Sequence, residues 1–331
     1  MEEQFTSLIT AYIMKLILSV ATLLLIFPMP CYAEMVHILS VGNSLSADLR
    51  SQGGVELLSS NEPRPILHDY HIKCGSSLTS IVANPSSTCL PPLRWGLYQD
   101  AFRSTKLDYV TFQPFQGATI RDEIQSIKTL AQQLRSNPIN SNSKILIYAT
   151  APYQSEGAFL QSWNRVGFQL DSQFQSSKQT FDLILSEVRA TVPNVELLPA
   201  AHIMAAIAEQ LLVTPDSVPG LSSPTEFYRD DIHASNSGRF IEGIALYSAV
   251  YEKSSEGLPL NWTYQLPDYG HTLNDPNGIL EVQKTAWRIS QAYGGSSVPE
   301  PNSMAMVAVV VAGLLNRNLK RFWCSVKHRP W

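Results

Sequence analysis

Short apolar runs that alternate with longer segments of helical period are the feature that most constrains the fold. The run from Ile145 to Tyr148 is uninterrupted, as is typical of a strand that is buried on both faces. Strands of this kind, separated by helices, predict a three-layer α/β/α sandwich with a five-stranded parallel sheet, flavodoxin-like in arrangement. The predicted strands are Val36 to Val41, Pro65 to Ile72, Leu107 to Phe112, Lys144 to Ala151 and Asn194 to Leu198.

The segments between and after these strands have the spacing of apolar residues that predicts helices. A stretch rich in Pro, Ser and Gly from Thr214 to Thr225 predicts a loop among them. The predicted helices are Ser46 to Ser60, Ile120 to Arg135, Trp163 to Ala190, Ala201 to Leu212, Ser237 to Tyr251 and Leu280 to Ala292.

Residues 1–33 predict a secretory signal. Met14 and Lys15 precede an apolar stretch from Leu16 to Phe27, and small residues end the segment at Ala33. We therefore expect an exported protein whose main domain covers residues 34–293, a size that suits one α/β domain. The formal net charge of −4 gives no basic surface and argues against a nucleic-acid partner.

The C-terminal segment, residues 294–331, predicts a second sorting signal. A Gly-Gly-Ser-Ser spacer is followed by Pro299-Glu300-Pro301, an apolar stretch from Ser303 to Leu315 and a basic cluster. The apolar stretch would span about 20 Å as a helix, so composition alone leaves a marginal membrane segment or a terminal core helix open.

The order of these features resembles the PEP-CTERM sorting signal. The resemblance implies an exosortase as a partner at Pro299-Glu300-Pro301. It also implies transient membrane insertion of the C-terminal helix before processing. The expected location is the cell envelope or the extracellular space.

Two cysteines, Cys74 and Cys89, belong to the predicted domain and stand fifteen positions apart. Export favours oxidation, so this pair predicts a disulfide, with two unpaired thiols as the alternative. No metal-ligand spacing and no phosphate-binding glycine loop is found in the sequence, so neither a metal nor a cofactor is predicted.

Ser44 follows the first predicted strand in Gly42-Asn43-Ser44-Leu45. The carboxyl end of a strand is where open α/β sheets hold their active sites, so Ser44 is a candidate nucleophile. A serine needs a base, and the base needs a group that orients it. His233 and Asp230 satisfy both needs, since an aspartate three residues earlier in a loop can turn back onto the imidazole.

Together these two blocks resemble the SGNH (GDSL-like) hydrolase family, although Asn43 replaces the usual aspartate. The resemblance implies that Ser44 is the nucleophile, His233 the base and Asp230 the residue that orients it. It also implies an oxyanion hole made by the backbone N–H groups of Ser44 and Gly75. The family's Gly-x-Asn-Asp block has no counterpart here, and Gln113 ends the third strand where its asparagine would lie. The amide of Gln113 is also a donor, so Gln113 is a candidate third member of the oxyanion hole, with a polar strand-end residue as the alternative.

These features predict an exported serine ester hydrolase that works through an acyl-enzyme. The sorting signals favour O-acetyl groups on envelope or extracellular carbohydrate as the substrate. A lipase or general carboxylesterase is one alternative. An inactive scaffold that binds envelope polysaccharide is the other, and the missing Gly-x-Asn-Asp block favours it.

Overall fold

Five parallel strands form one sheet in the computed structural model, which describes residues 34–50, 54–258 and 269–293. The order across the sheet is β2-β1-β3-β4-β5, so β1 lies between two other strands and is buried along most of its length. The carboxyl ends of all five strands therefore meet at one edge. The strands are β1 (Val36–Gly42), β2 (Ile66–Ile72), β3 (Tyr109–Phe112), β4 (Lys144–Tyr148) and β5 (Val195–Leu198).

Helices cover both faces of this sheet, in two groups that pack mainly within themselves. One face carries α1 (Ser44–Arg50), α2 (Gly54–Leu58), α8 (Ala200–Val213), α9 (Asn236–Tyr251) and α10 (Pro276–Tyr293). The other carries α3 (Leu78–Ala83), α4 (Tyr98–Ser104), α5 (Ile120–Arg135) and α7 (Lys178–Arg189). The short α6 (Phe159–Trp163) packs against α8 of the first group. The three-layer α/β/α sandwich with a five-stranded parallel sheet is confirmed.

The predicted helix from Trp163 to Ala190 is wrong in its first half. Helix α6 ends at Trp163, and α7 begins only at Lys178. The chain between them pairs instead with the segment before α5: Phe174 N–H donates to Ala118 O at 3.0 Å, and Ile120 N–H donates to Ser172 O at 2.9 Å. These long-range backbone bonds replace the intrahelical ones, and a local pattern cannot reveal them.

Smaller differences concern where elements begin and end. Strand β4 ends at Tyr148 rather than Ala151, which leaves the next residues to form a loop at the active edge. Helix α10 begins at Pro276, earlier than predicted, because Asp275 Oδ1 accepts the N–H groups of Asn277 at 2.8 Å and Gly278 at 3.3 Å. In the region of the predicted helix over 46–60, the structure describes two helices, α1 before residues 51–53 and α2 after them.

The predicted secretory signal and the predicted C-terminal sorting segment both lie outside the described residues. The division of the chain at residues 33 and 293 therefore stays a prediction. In the part of the chain that is described, no helix is both long enough and apolar enough to cross a membrane.

Candidate active site

The turn from β1 into α1 presents the Ser44 hydroxyl at the carboxyl edge of the sheet. Asn43 caps the helix, since its Oδ1 accepts the N–H of Leu45 at 3.0 Å. Gly42 permits the close approach of this turn to its neighbours. A Cβ at Gly42 would lie 2.3 Å from Ser46 Oγ and 2.7 Å from Gln113 Oε1, which no side chain tolerates. The sequence Gly-Asn-Ser thus encodes a compact turn with a partly exposed serine.

Ser44, His233 and Asp230 form a hydrogen-bonded chain. His233 Nε2 lies 2.9 Å from Ser44 Oγ, and His233 Nδ1 lies 2.8 Å from Asp230 Oδ2. An imidazole that donates from Nδ1 to a carboxylate leaves Nε2 free to accept the serine proton. The structure therefore brings together the three residues that the sequence nominated, across 189 positions of the chain.

The loop fixes the Asp230 carboxylate before it meets the imidazole. Its Oδ1 accepts the backbone N–H groups of Ile232 at 2.9 Å and His233 at 2.8 Å. Burial opposes ionisation of Asp230, but these N–H groups and the His233 ring outweigh it and hold the pKa of Asp230 below its usual value. Asp230 is thus suited to remain an anion beside His233.

The predicted oxyanion hole includes two backbone N–H groups, those of Ser44 and Gly75. Among the described residues, neither the Ser44 N–H nor the Gly75 N–H has a hydrogen-bond partner. Gly75 is exposed and has a φ of 61°, a conformation that favours glycine. Asn43 Nδ2 donates to Ser76 O at 3.2 Å and so ties the Gly75 loop (residues 73–77) to the nucleophile turn. An aspartate at position 43 cannot make this bond.

Gln113 is oriented differently from the predicted oxyanion donor. The side chain is fully buried. Its Oε1 accepts the Asn43 N–H at 2.9 Å and the Ser46 hydroxyl at 3.1 Å, while its Nε2 donates to Pro114 O at 3.3 Å. Both ends of the Gln113 amide are therefore bonded inside the protein. Its oxygen supports the turn that carries Ser44, and its Nε2–H group is directed at the carbonyl of the next residue, Pro114.

A disulfide joins Cys74 to Cys89, as the sequence predicts, with a Cα–Cα distance of 5.7 Å. Cys89 is itself anchored to the end of β2, since its N–H donates to Ile72 O at 2.9 Å. The bridge therefore fixes Cys74, the residue directly before Gly75, to the sheet. A second support comes from buried Glu123, whose Oε1 accepts the Thr79 N–H at 3.0 Å and whose Oε2 accepts the Phe115 N–H at 3.0 Å.

Burial raises the pKa of Glu123 to about 7, and the N–H groups that its carboxylate accepts act against that rise.

The loop after β4 contacts the acid–base loop, residues 229–235, which carries Asp230 and His233. Gln154 Nε2 donates to Asp230 O at 2.6 Å, and Ser155 N–H donates to Asp231 Oδ1 at 2.6 Å. Loops that follow β1, β2, β3 and β4 are thus joined around Ser44.

Sequence reasoning missed three contributors to this arrangement: Asn43 as a bridge, Glu123 as a loop anchor and Asp48, which contacts the His233 loop. Asp48 has a signal in the sequence, because a residue four positions after Ser44 lies on the same side of a helix as Ser44. The partners of Glu123 and Asp48 are remote in sequence and leave no local pattern. In residues 34–50, 54–258 and 269–293, no three ligand-type side chains are grouped to hold a metal ion.

Comparisons with known proteins give a likeness in fold. No protein-family model matches the chain, and no curated protein sequence resembles it significantly. Protein YxiM from Bacillus subtilis matches 66% of this chain at 10% identity and a TM-score of 0.42, and the chain spans only 57% of YxiM.

Two further solved structures are similar to this chain to the same degree. The match to TesA covers 64% of this chain and 96% of the TesA chain, at 13% identity and a TM-score of 0.39. The match to a candidate platelet activating factor from Streptococcus pneumonia covers 67% of this chain and 87% of that protein's chain, at 13% identity and a TM-score of 0.41.

Proposed function

We propose that this chain is an SGNH-type serine ester hydrolase. The observation that carries the proposal is the hydrogen-bonded chain from Ser44 Oγ through His233 to Asp230, with distances of 2.9 and 2.8 Å. A serine, an imidazole and a carboxylate in this order are the components that acyl transfer requires. Their position at the carboxyl edge of a parallel sheet is the usual location of active sites in this fold class.

The proposed reaction has two halves. Ser44 Oγ attacks the ester carbonyl carbon while His233 Nε2 takes the hydroxyl proton, and the N–H groups of Ser44 and Gly75 stabilise the oxyanion. Collapse of the intermediate breaks the C–O bond of the ester, and the alcohol leaves with the proton from His233. Water then attacks the acyl-enzyme, gives one proton to His233 and releases the acid, and that proton returns to Ser44.

The open position of the site supports an acyl group on a large molecule as the substrate. The Asp230 side chain is about half exposed (49%), Gly75 is exposed and the His233 side chain is 23% exposed. A site at the surface admits a short side group of a polymer while the polymer itself stays outside the protein. We therefore favour O-acetyl groups on envelope or extracellular carbohydrate.

The cellular setting is proposed on the sequence alone. Residues 1–33 would direct export, and residues 294–331 would insert transiently in the membrane until an exosortase acts at Pro299-Glu300-Pro301. The resulting location is the cell envelope or the extracellular space.

Ester turnover by the full chain tests the proposal. We expect hydrolysis of p-nitrophenyl acetate, a preference for it over long-chain esters, and acetate release from acetylated polysaccharide. Ser44→Ala should lower kcat by about 10³-fold or more, since the nucleophile is removed, whereas Ser136→Ala, at the far end of α5, should not change it.

Other results would favour the alternatives. Equal rates for the wild type and Ser44→Ala, with binding of the polysaccharide retained, would favour an inactive binding scaffold. A preference for long acyl chains would favour a lipase.

A further inference from the structure

A buried carboxylate, Asp48, lies on the same helix as Ser44 and one turn further along. Its side chain is only 2% exposed. Two guanidinium groups converge on its Oδ1: Arg229 Nη1 at 2.9 Å and Arg239 Nε at 3.1 Å, with Arg239 Nη2 as a further close donor. A carboxylate so deep in the protein is stable because these two cations pair with it.

The other oxygen of Asp48 reaches the loop that carries His233. Oδ2 accepts the backbone N–H of Ala234, the next residue, at 3.2 Å. Arg229, which Asp48 binds through its side chain, donates its backbone N–H to His233 O at 3.0 Å. Both contacts hold the peptide group that joins His233 to Ala234, and both lead back to Asp48.

An aromatic ring fixes the two cations in turn. The Cζ atoms of Arg239 and Arg229 lie 3.8 and 4.5 Å from the centre of the Tyr269 ring. Guanidinium groups stack on aromatic faces and lose little freedom when they bind a carboxylate in this position. The cluster of Asp48, Arg229, Arg239 and Tyr269 thus connects the nucleophile helix to the loop that carries Asp230 and His233.

We propose that Asp48 is the positioning residue that holds His233 against Ser44; this rests on the proposed function. One carboxylate connects the helix of the nucleophile to the backbone of the base, so it sets their distance. It also balances two positive charges beside an imidazole that must become a cation during the reaction. Three other ionisable groups of the described residues face the cluster: Asp230, whose Oδ2 lies 3.8 Å from Arg229 Nε, buried Glu242 on α9 and buried Tyr148 at the end of β4.

Asp48→Asn separates positioning from general stability. An asparagine has one acceptor oxygen, so it cannot face both the guanidinium groups and the Ala234 N–H, and one contact becomes a clash of donors. We expect kcat for p-nitrophenyl acetate to fall about 10²-fold with KM within about threefold, because misplacement of reacting groups acts on the chemical step. The acid limb of the kcat/KM profile should move to lower pH, because the loss of one carboxylate charge from the cluster disfavours the imidazolium.

Asp69→Asn is the matched control. Asp69 is fully buried and accepts the N–H groups of Leu93, Arg94 and Trp95 at 2.8–3.0 Å, but it contacts no residue of the site. It should lose stability as Asp48→Asn does, while kcat and the pH profile stay near those of the wild type.

Hydrogen exchange of the segment 229–235 gives a readout that does not depend on activity. Exchange of the Ala234 amide should become about tenfold faster in Asp48→Asn and stay unchanged in Asp69→Asn, since only the first variant removes its acceptor. If the wild type is as inactive as Ser44→Ala, the proposed function has failed, and this exchange result alone decides whether Asp48 positions the loop.

Unchanged exchange at Ala234, or a fall in kcat no larger than that of Asp69→Asn with no shift of the acid limb, would overturn the proposal. If Asp48→Asn does not fold, Arg229→Lys serves instead. It keeps a cation next to Asp48 but loses the stacking on Tyr269 and the planar guanidinium whose Nη1 reaches both Asp48 Oδ1 and Ala234 O, and we expect kcat to fall about tenfold with KM unchanged. Wild-type kcat and exchange in that variant would equally overturn the proposal.

Discussion

Gly42→Ala is the substitution whose effect can be worked out most fully from the structure. The added methyl would lie 2.3 Å from Ser46 Oγ, 2.7 Å from Gln113 Oε1 and 2.8 Å from Gln113 Cβ. Ordinary contacts of this kind are about 3.5–4.0 Å, so both neighbours must move by about 1 Å. Both are fully buried and have little room to do so.

The cost has two parts. Movement of Gln113 breaks the hydrogen bonds that its Oε1 accepts from Asn43 N–H and Ser46 Oγ, at about 1 kcal/mol each. Overpacking of a buried site adds about 1–3 kcal/mol. We therefore expect the free energy of unfolding to fall by about 3–5 kcal/mol, and kcat to fall at least tenfold because the displaced turn carries Ser44.

Urea unfolding followed by circular dichroism, together with p-nitrophenyl acetate turnover, measures both effects. Ser46→Ala alone should cost about 1 kcal/mol, because it removes one hydrogen bond. In the double variant the methyl gains the space of the lost hydroxyl, so the two costs should be less than additive. A loss below 1 kcal/mol for Gly42→Ala with unchanged kcat would refute the packing described for this turn.

Three further predictions concern the supports of the site and the core. Asn43→Asp should lower kcat about tenfold, because a carboxylate cannot donate to the carbonyl of the Gly75 loop and the oxyanion donor shifts; unchanged kcat would contradict this. Reducing the Cys74–Cys89 disulfide, which closes a loop of fifteen residues, should lower the free energy of unfolding by about 3 kcal/mol; no change in a urea titration with thiol would contradict it. Burial lowers the pKa of His202 to about 3, below its ordinary 6.5, so its stabilising effect is present above pH 6.5 and is lost as the pH falls toward 3. His202→Phe should therefore gain about 2 kcal/mol over the wild type between pH 7 and pH 5, and parallel pH–stability curves would contradict that.

The architecture was predictable because its signals are local. Each strand of a parallel sheet is a short apolar run, and each run was found within a few residues of its observed ends. The helix predicted from Trp163 failed for the opposite reason, since residues 170–174 exchange backbone hydrogen bonds with residues 118–121, more than forty positions earlier.

The site was predictable in its chemistry but not in its supports. Ser44 stands out because it ends a strand, and Asp230 and His233 stand out because their spacing allows one to turn onto the other. The direction of the Gln113 amide depends on where Asn43 and Ser46 lie above it, which no one-dimensional pattern records. Asp48 acts through Arg229 and Ala234, 181 and 186 positions away, so its connection to the loop appears only in three dimensions.

The proposed hydrolase depends on the activation of Ser44 as a nucleophile by His233. A fluorophosphonate tests it directly, because an activated serine oxygen displaces fluoride at phosphorus and keeps the phosphonyl group. Peptide mass mapping of the treated full chain should find one adduct, on Ser44, and His233→Ala should lose it. An adduct on another residue instead, no adduct on Ser44, or equal labelling of Ser44 in His233→Ala would contradict the claim.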